Sequence, residues 1–175
     1  MTVAMHVTIR VFVTYLLALS MSLHADDADR RLLFSGLTWH EKPQLDDGTK
    51  LNAFNLGIGY ERDYFKAYKK RYYTYHVMLL NDSHNHPYLY LAGSEAVRFH
   101  ASWFDTSVGL AGFVGIKKMR HPGGEYQYAP IIGLAPVVSL YRDVYSLNFA
   151  YVPSLVYSEY KTIGFLYFYV GWQFQ

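Results

Sequence analysis

The chain contains no cysteine, which excludes disulfide bonds and thiolate metal ligands. Beyond its first 25 residues it has no apolar run long enough for a membrane-spanning helix, which argues against a helical membrane protein. Charge is also nearly balanced, since residues 26–175 carry 15 Lys and Arg against 14 Asp and Glu. This balance offers no excess of positive charge for a polyanion, so we expect no nucleic-acid partner.

Residues 1–25 have the composition of a secretory signal peptide. They carry Arg10 and no acidic residue, and an apolar run from Val11 to Leu23 precedes the small residue Ala25. This run of 13 residues is shorter than the roughly 20 that a spanning helix needs. We therefore expect cleavage after residue 25 and export of one domain, residues 26–175.

Aromatic residues are abundant, with 18 Tyr, 11 Phe and 3 Trp. Most fall in short segments rather than at helical spacing, and aromatic side chains suit pleated strands and membrane interfaces. Apolar, alternating or aromatic-rich segments predict eight strands, at 32–40, 51–60, 72–81, 88–99, 107–117, 129–141, 144–153 and 162–174. The predicted fold is an all-β, eight-stranded antiparallel transmembrane β-barrel.

The connectors alternate between long polar loops and brief turns. With the N-terminus on the periplasmic side, the loops after strands one, three, five and seven face outwards, so His40 lies at the outer rim. Several predicted strands, such as 129–141 and 162–174, have no polar face. The interior is therefore expected to be apolar, either filled by side chains or open as a pocket for a hydrocarbon chain.

Three prolines cluster around the sixth and seventh predicted strands. Pro130 and Pro136 lie within one apolar segment and Pro153 ends the next. Each lacks a backbone N–H, so strand pairing is expected to break there and leave a lateral gap in the barrel wall. The alternative is that strand edges simply tolerate these prolines.

Five short motifs, in this order, resemble the lipid A palmitoyltransferases of Gram-negative outer membranes, the PagP family. They are "LTWH" at 37–40, "NDS" at 81–83, "YAP" with a later proline at 128–136, "YVP" at 151–153 and "WQF" at 172–174. Each motif is short, and the ordered set spans nearly all of residues 26–175.

The resemblance implies an outer-membrane enzyme of lipid A modification and antimicrobial peptide resistance. Such an enzyme moves an acyl chain, commonly palmitate, from the sn-1 position of a phospholipid to the hydroxyl of an N-linked hydroxyacyl chain on lipid A. It implies no cofactor or metal. The implied partners are phospholipid, lipopolysaccharide and the outer-membrane assembly machinery, and the protein would act as a monomer or homodimer.

The family's catalytic residues map onto His40, Asp82 and Ser83. A histidine suits a general base because its pKa lies near neutrality, and Asp82 can orient and stabilise the imidazolium. Ser83 can serve as the nucleophile or as an oxyanion donor, and the sequence leaves both open. Without the resemblance, "NDS" reads as turn chemistry.

The family's acyl-pocket floor maps onto Ala92, counted from Pro87. If Ala92 is the floor, its methyl group shortens the accepted chain relative to palmitate. The alternative is that Ala92 faces lipid.

The sequence also offers two alternative functions and one candidate metal site. A lipid A deacylase barrel would use a His and Ser pair, which "HAS" at 100–102 offers, although at a predicted inner turn. A non-catalytic outer-membrane barrel would need neither His40 nor Ser83. His84, His86 and His121 lie in loops without paired carboxylates, so we expect them to be solvated and to bind no metal.

Overall fold

The computed structural model describes residues 29–45, 48–66, 71–120, 125–154, 156–157, 160–161 and 163–174. The predicted signal peptide and His121 lie outside these ranges. The strands are β1 (Asp29–His40), β2 (Phe54–Lys66), β3 (Arg71–Asn81), β4 (Pro87–His100), β5 (Asp105–Arg120), β6 (Tyr126–Arg142), β7 (Tyr145–Val152), β8 (Val156–Tyr157), β9 (Tyr160–Lys161) and β10 (Phe165–Phe174). None of the described ranges contains a helix long and apolar enough to cross a membrane.

Eight strands close into an antiparallel barrel in the order β1-β10-β7-β6-β5-β4-β3-β2. Closure comes from β1, which pairs with β2 on one side and with β10 on the other. A closed barrel pairs its backbone groups without a sheet edge, which lipid requires. The predicted fold is confirmed. The remaining strands, β8 and β9, form a separate hairpin in the last loop.

The connections define two rims. The loop rim carries the β1–β2, β3–β4, β5–β6 and β7–β10 connections, and the turn rim carries the first residues of β1 and the other three turns. The predicted lengths were wrong for several strands: β5 and β6 have 16 and 17 residues, longer than predicted, and β7 has only 8. The β5–β6 ladder continues to Arg120 and Tyr126, past the polar residues at which the apolar pattern ends.

The outer surface of the barrel is a band of exposed apolar side chains. Because side chains alternate along a strand, every second residue of the wall faces outwards. A lipid-facing apolar band is what a transmembrane barrel presents to the hydrocarbon core. The band includes Leu37, Leu56, Ile58, Leu79, Leu89, Leu110, Ile116, Ile132, Leu134 and Val170.

The β6–β7 ladder is incomplete towards the loop rim. It runs from Arg142↔Tyr145 to Val137↔Ala150 and stops, whereas β6 stays paired with β5 at both Pro130 and Pro136. The two prolines are an even number of residues apart, so both lack their N–H on the same edge of β6. Among the described residues, no strand pairs with this edge of β6 from Tyr126 to Pro136, and Pro153 follows the end of β7.

The barrel interior has two different halves. Towards the loop rim it is apolar and aromatic, with a buried cluster that includes Leu33, Met78, Tyr90, Tyr167 and Tyr169. Towards the turn rim it is charged. The expectation of an apolar interior throughout was therefore wrong for this half, because a barrel lumen satisfies buried charges when they pair with one another.

Four buried side chains, Arg31, Glu61, Asp63 and Arg98, form what we term the charged layer. The Arg31 guanidinium contacts the Asp63 carboxylate and lies 3.4 Å from Glu61 Oε1. Asp63 Oδ2 is also 3.5 Å from Arg98 Nη2. Arg98 lies over the Tyr141 ring at 4.1 Å. Two guanidinium groups thus lie against two carboxyl groups in the turn-rim half of the barrel.

We predict that Arg31→Met destabilises the barrel by about 3–5 kcal/mol, because it leaves buried carboxylates without their nearest cation. Urea unfolding in lipid vesicles measures the loss. The matched control is Arg71→Met, which breaks an ion pair with Glu95 whose side chains are 45% and 44% exposed, and it should leave the midpoint unchanged. Equal midpoints for both variants would show that the charged layer does not stabilise the fold.

Candidate functional site

Two connections at the loop rim bring His40 and Ser83 together. His40 is the last residue of β1, and its side chain is buried as the strand leaves the barrel. Ser83 lies in the short β3–β4 loop. His40 Nε2 and Ser83 Oγ are 2.6 Å apart, within hydrogen-bond distance. A base and a hydroxyl in this contact form the minimal unit of nucleophilic or general-base catalysis.

Hydrogen bonds within the β3–β4 loop, and others from the β1–β2 connection, hold the loop that carries Ser83 in place. Asn85 adopts a left-handed conformation with φ of 61°, which asparagine tolerates better than most residues. Its N–H donates to the Asp82 carbonyl at 2.9 Å. From the β1–β2 connection, the Asn52 N–H donates to the Ser83 carbonyl at 2.8 Å, and Asn52 Nδ2 donates to Asn85 Oδ1 at 2.8 Å. These bonds fix Ser83 relative to β1.

Asp82 is buried but faces away from the His40–Ser83 contact. Its Oδ1 accepts the N–H groups of His84 at 2.8 Å and His86 at 2.9 Å. Its Oδ2 is 3.6 Å from Lys117 Nζ, and no hydrogen bond to His40 is present among the described residues. Asp82 therefore shapes the loop and balances a buried ammonium.

Asn55, at the start of β2, is a site residue that sequence analysis did not identify. Its side chain is 4% exposed. Nδ2 donates to Thr38 Oγ1 at 2.9 Å and to Ser83 Oγ at 3.3 Å. No catalytic motif contains Asn55, and the only signal was a polar residue in an apolar strand close to the rim.

The surroundings of His40 keep its imidazole neutral. Burial lowers the pKa of His40 below its ordinary value of 6.5, and the positive charge of Lys117, with His84, lowers it further. A neutral imidazole has a free nitrogen that can accept a proton. At neutral pH His40 is therefore in the form that a general base requires.

The His40–Ser83 contact lies at the mouth of an interior cavity of about 210 Å³. The wall is mostly apolar and aromatic, and two stacked tyrosine pairs line it, Tyr88 with Tyr90 and Tyr167 with Tyr169. Apolar pockets with a few placed polar groups are typical of ligand sites. The cavity can take a hydrocarbon chain and leave its polar end beside His40.

The cavity ends at mid-barrel. Four residues, His76, Ala111, Val137 and Tyr169, also line a second cavity of about 20 Å³ below it, so they separate the two. His76 Nδ1 is 3.8 Å from Glu61 Oε2, which places the charged layer directly beneath. Ala92 pairs with His76 across β3 and β4, is 3% exposed and lines the larger cavity. Its side chain thus points inwards.

The other histidines in the described ranges form no hydrogen bond with His40 or Ser83. His100 is on the turn rim, where its Nδ1 is 2.9 Å from Asp105 Oδ1 and its side chain is 70% exposed. His84 and His86 are half-buried against the Tyr126 ring, at 6.0 and 5.0 Å. In the described part of the chain, no three His, Cys, Asp or Glu residues are grouped to hold a metal.

Comparison with known proteins identifies a family for this chain. The family model described as the antimicrobial peptide resistance and lipid A acylation protein PagP matches residues 20–169. No curated protein matches the chain.

Among solved structures, neisserial surface protein A (NspA) has a TM-score of 0.52 and 12% identity, covering 84% of this chain and 96% of that one. Ail of Yersinia pestis has a TM-score of 0.45 and 14% identity, with the same coverage. The NspA likeness supports the fold. Since the family model covers most of the sequence, the chain belongs to the PagP family of outer-membrane lipid A acylation proteins.

Proposed function

We propose that this protein is a phospholipid:lipid A acyltransferase of the palmitoyltransferase type. It moves one fatty acyl chain from the sn-1 position of a phospholipid to the hydroxyl of an N-linked hydroxyacyl chain on lipid A. The observation that carries this proposal is the 2.6 Å contact between His40 Nε2 and Ser83 Oγ at the mouth of an apolar interior cavity.

The cavity binds the acyl chain and leaves its ester carbonyl at the rim, next to the His40–Ser83 pair. His40 then accepts the proton of the attacking hydroxyl. If Ser83 attacks, the chain passes through an acyl ester on Ser83. If the lipid A hydroxyl attacks directly, Ser83 donates a hydrogen bond to the developing oxyanion. Asp82 assists both routes by holding the loop that carries Ser83.

The unpaired edge of β6 supports a lateral route for the phospholipid. The edge lies at the cavity wall, because Ile131, Ala135 and Val152 line the cavity around the incomplete ladder. We propose that the acyl chain enters from the bilayer through this gap, bounded by Pro130, Pro136 and Pro153. An opening in the wall lets the chain enter without leaving the membrane.

Purified protein in vesicles with chain-labelled phospholipid and lipid A tests the function. Acyl transfer gives lipid A that is heavier by one acyl group, with one lysophospholipid for each transfer. Free fatty acid without acylated lipid A would instead indicate a hydrolase or deacylase. No product at all would indicate a non-catalytic barrel.

We predict that His40→Ala and Ser83→Ala each lower acyl transfer by at least about 100-fold, since each removes one half of the reacting pair. Ser83 lies in a loop and His40 is the last residue of β1, at the loop rim, so the variants should fold normally. The matched controls are His100→Ala and Ser102→Ala on the turn rim, which should keep full activity. A variant of His40 or Ser83 that retains near-normal transfer would exclude that residue from the mechanism.

The rate of transfer should depend on pH through His40. Only the neutral imidazole can accept a proton, and its pKa lies below the ordinary 6.5. The rate should therefore stay constant as pH falls from 8 to about 6.5 and decline only below that value. A profile of kcat/KM against pH measures this limb. An acid limb centred above 6.5 would contradict the neutral state of His40 derived from its burial.

We predict that Ala92 limits the length of the accepted chain. Forcing one more methylene into a packed site costs about 1–3 kcal/mol, so the wild type should prefer a chain about one or two carbons shorter than palmitate. Ala92→Gly should lengthen the preferred chain. The control is Ala96→Gly on the same face of β4, where the side chain lines the lower cavity. Mass spectrometry of lipid A from cells carrying each variant decides, and identical chain lengths would place the floor elsewhere.

A further inference from the structure

The hydroxyl of Ser83 contacts two side chains, and one of them can only donate to it. Asn55 Nδ2 is a donor only, so Ser83 Oγ accepts from it at 3.3 Å. The other neighbour is His40 Nε2 at 2.6 Å. The Asn55 contact uses one lone pair of Oγ and leaves the Ser83 O–H free to donate to His40 Nε2.

This direction determines the tautomer of His40. If Ser83 donates to Nε2, that nitrogen is unprotonated and the neutral ring carries its proton on Nδ1. The free pair on Nε2 is the one that removes the Ser83 proton. Asn55 thus acts on the His40–Ser83 pair through its contact with Ser83 alone.

The placement of Asn55 is not explained by its structural bonds alone. It is buried, it lines the acyl cavity, and its Oδ1 has no hydrogen-bond partner among the described residues. A buried acceptor without a partner is unfavourable. The same Nδ2 also donates to Thr38 Oγ1 at 2.9 Å, and this second hydrogen bond anchors the amide.

Resting on the proposed function, we propose that Asn55 is a positioning residue of the acyl-transfer site. It holds the Ser83 hydroxyl with its proton directed at His40 Nε2. Without it, the hydroxyl rotates freely about its Cβ–Oγ bond and the fraction in the reactive orientation falls.

Asn55→Ala should lower kcat about 10- to 100-fold with an unchanged KM for phospholipid, because misorientation affects the reacting group and not the cavity. The matched control is Asn148→Ala. Asn148 is also a buried asparagine, with bonds to Ser146 Oγ at 3.1 Å and the Tyr169 carbonyl at 3.3 Å, and it lies outside both cavities. It should lose stability but keep full activity per folded molecule.

Asn55→Asp tests whether position 55 acts electrostatically on the His40–Ser83 pair. The titratable groups around His40 are Lys117 on β5, His84 and Asp82 in the β3–β4 loop, and Glu41 beside it. A new carboxylate next to Ser83 favours the imidazolium. The acid limb of kcat/KM should therefore move to higher pH, and an unmoved limb would contradict the proposal.

A second measurement is independent of turnover. Nitrogen NMR of ¹⁵N-histidine-labelled protein in detergent micelles, with His40 assigned from His40→Gln, should show only the Nδ1–H tautomer in the wild type and a mixture in Asn55→Ala. The same tautomer in both would overturn the role of Asn55. If the wild type transfers no acyl chain, the proposed function fails, and the tautomer still decides the role of Asn55.

Discussion

Closure of the sheet is the constraint on which the rest of the structure depends. Lipid offers no hydrogen bonds, so the wall must pair its backbone groups with itself, and an eight-stranded barrel leaves an interior only wide enough for side chains or one slender ligand. Strand alternation then sends half of the residues into that space. The identity of these inward-facing residues determines whether side chains fill the barrel interior or leave a cavity for a ligand.

In this protein one half of the interior is filled by side chains and the other half holds a cavity. The charged layer fills the turn-rim half with two cations and two carboxylates, and His76 and Tyr169 form a partition above it. The loop-rim half keeps a cavity whose open end carries His40 and Ser83. A hydrocarbon chain cannot enter the charged layer without separating ion pairs in a dry interior. The cavity is therefore a closed-ended pocket, and its depth is set by the same residues that stabilise the barrel.

Much of the fold was accessible from the sequence. Alternation and aromatic content located all eight barrel strands, and the loop count put His40 and the β3–β4 loop on one rim. The charged layer was missed because its members come from three different strands, although Glu61 and Asp63, two apart in one strand, share a face that lipid would not accept. Asn55 offered no signal beyond a polar residue in an apolar strand, since its role depends on a contact with a loop residue 28 positions away. The sequence did not show which edge of β6 is unpaired, because that depends on the register with which β6 pairs with β5 and β7.

We propose that a closed interior pocket presents one acyl chain to His40 and Ser83. The most direct measurement is the transfer rate from phospholipids whose sn-1 chains grow by one methylene at a time, with purified protein and lipid A in vesicles. A closed pocket predicts a sharp limit, beyond which each added methylene lowers the rate about fivefold or more. A rate that changes smoothly with chain length, or not at all, would contradict a pocket that ends at mid-barrel.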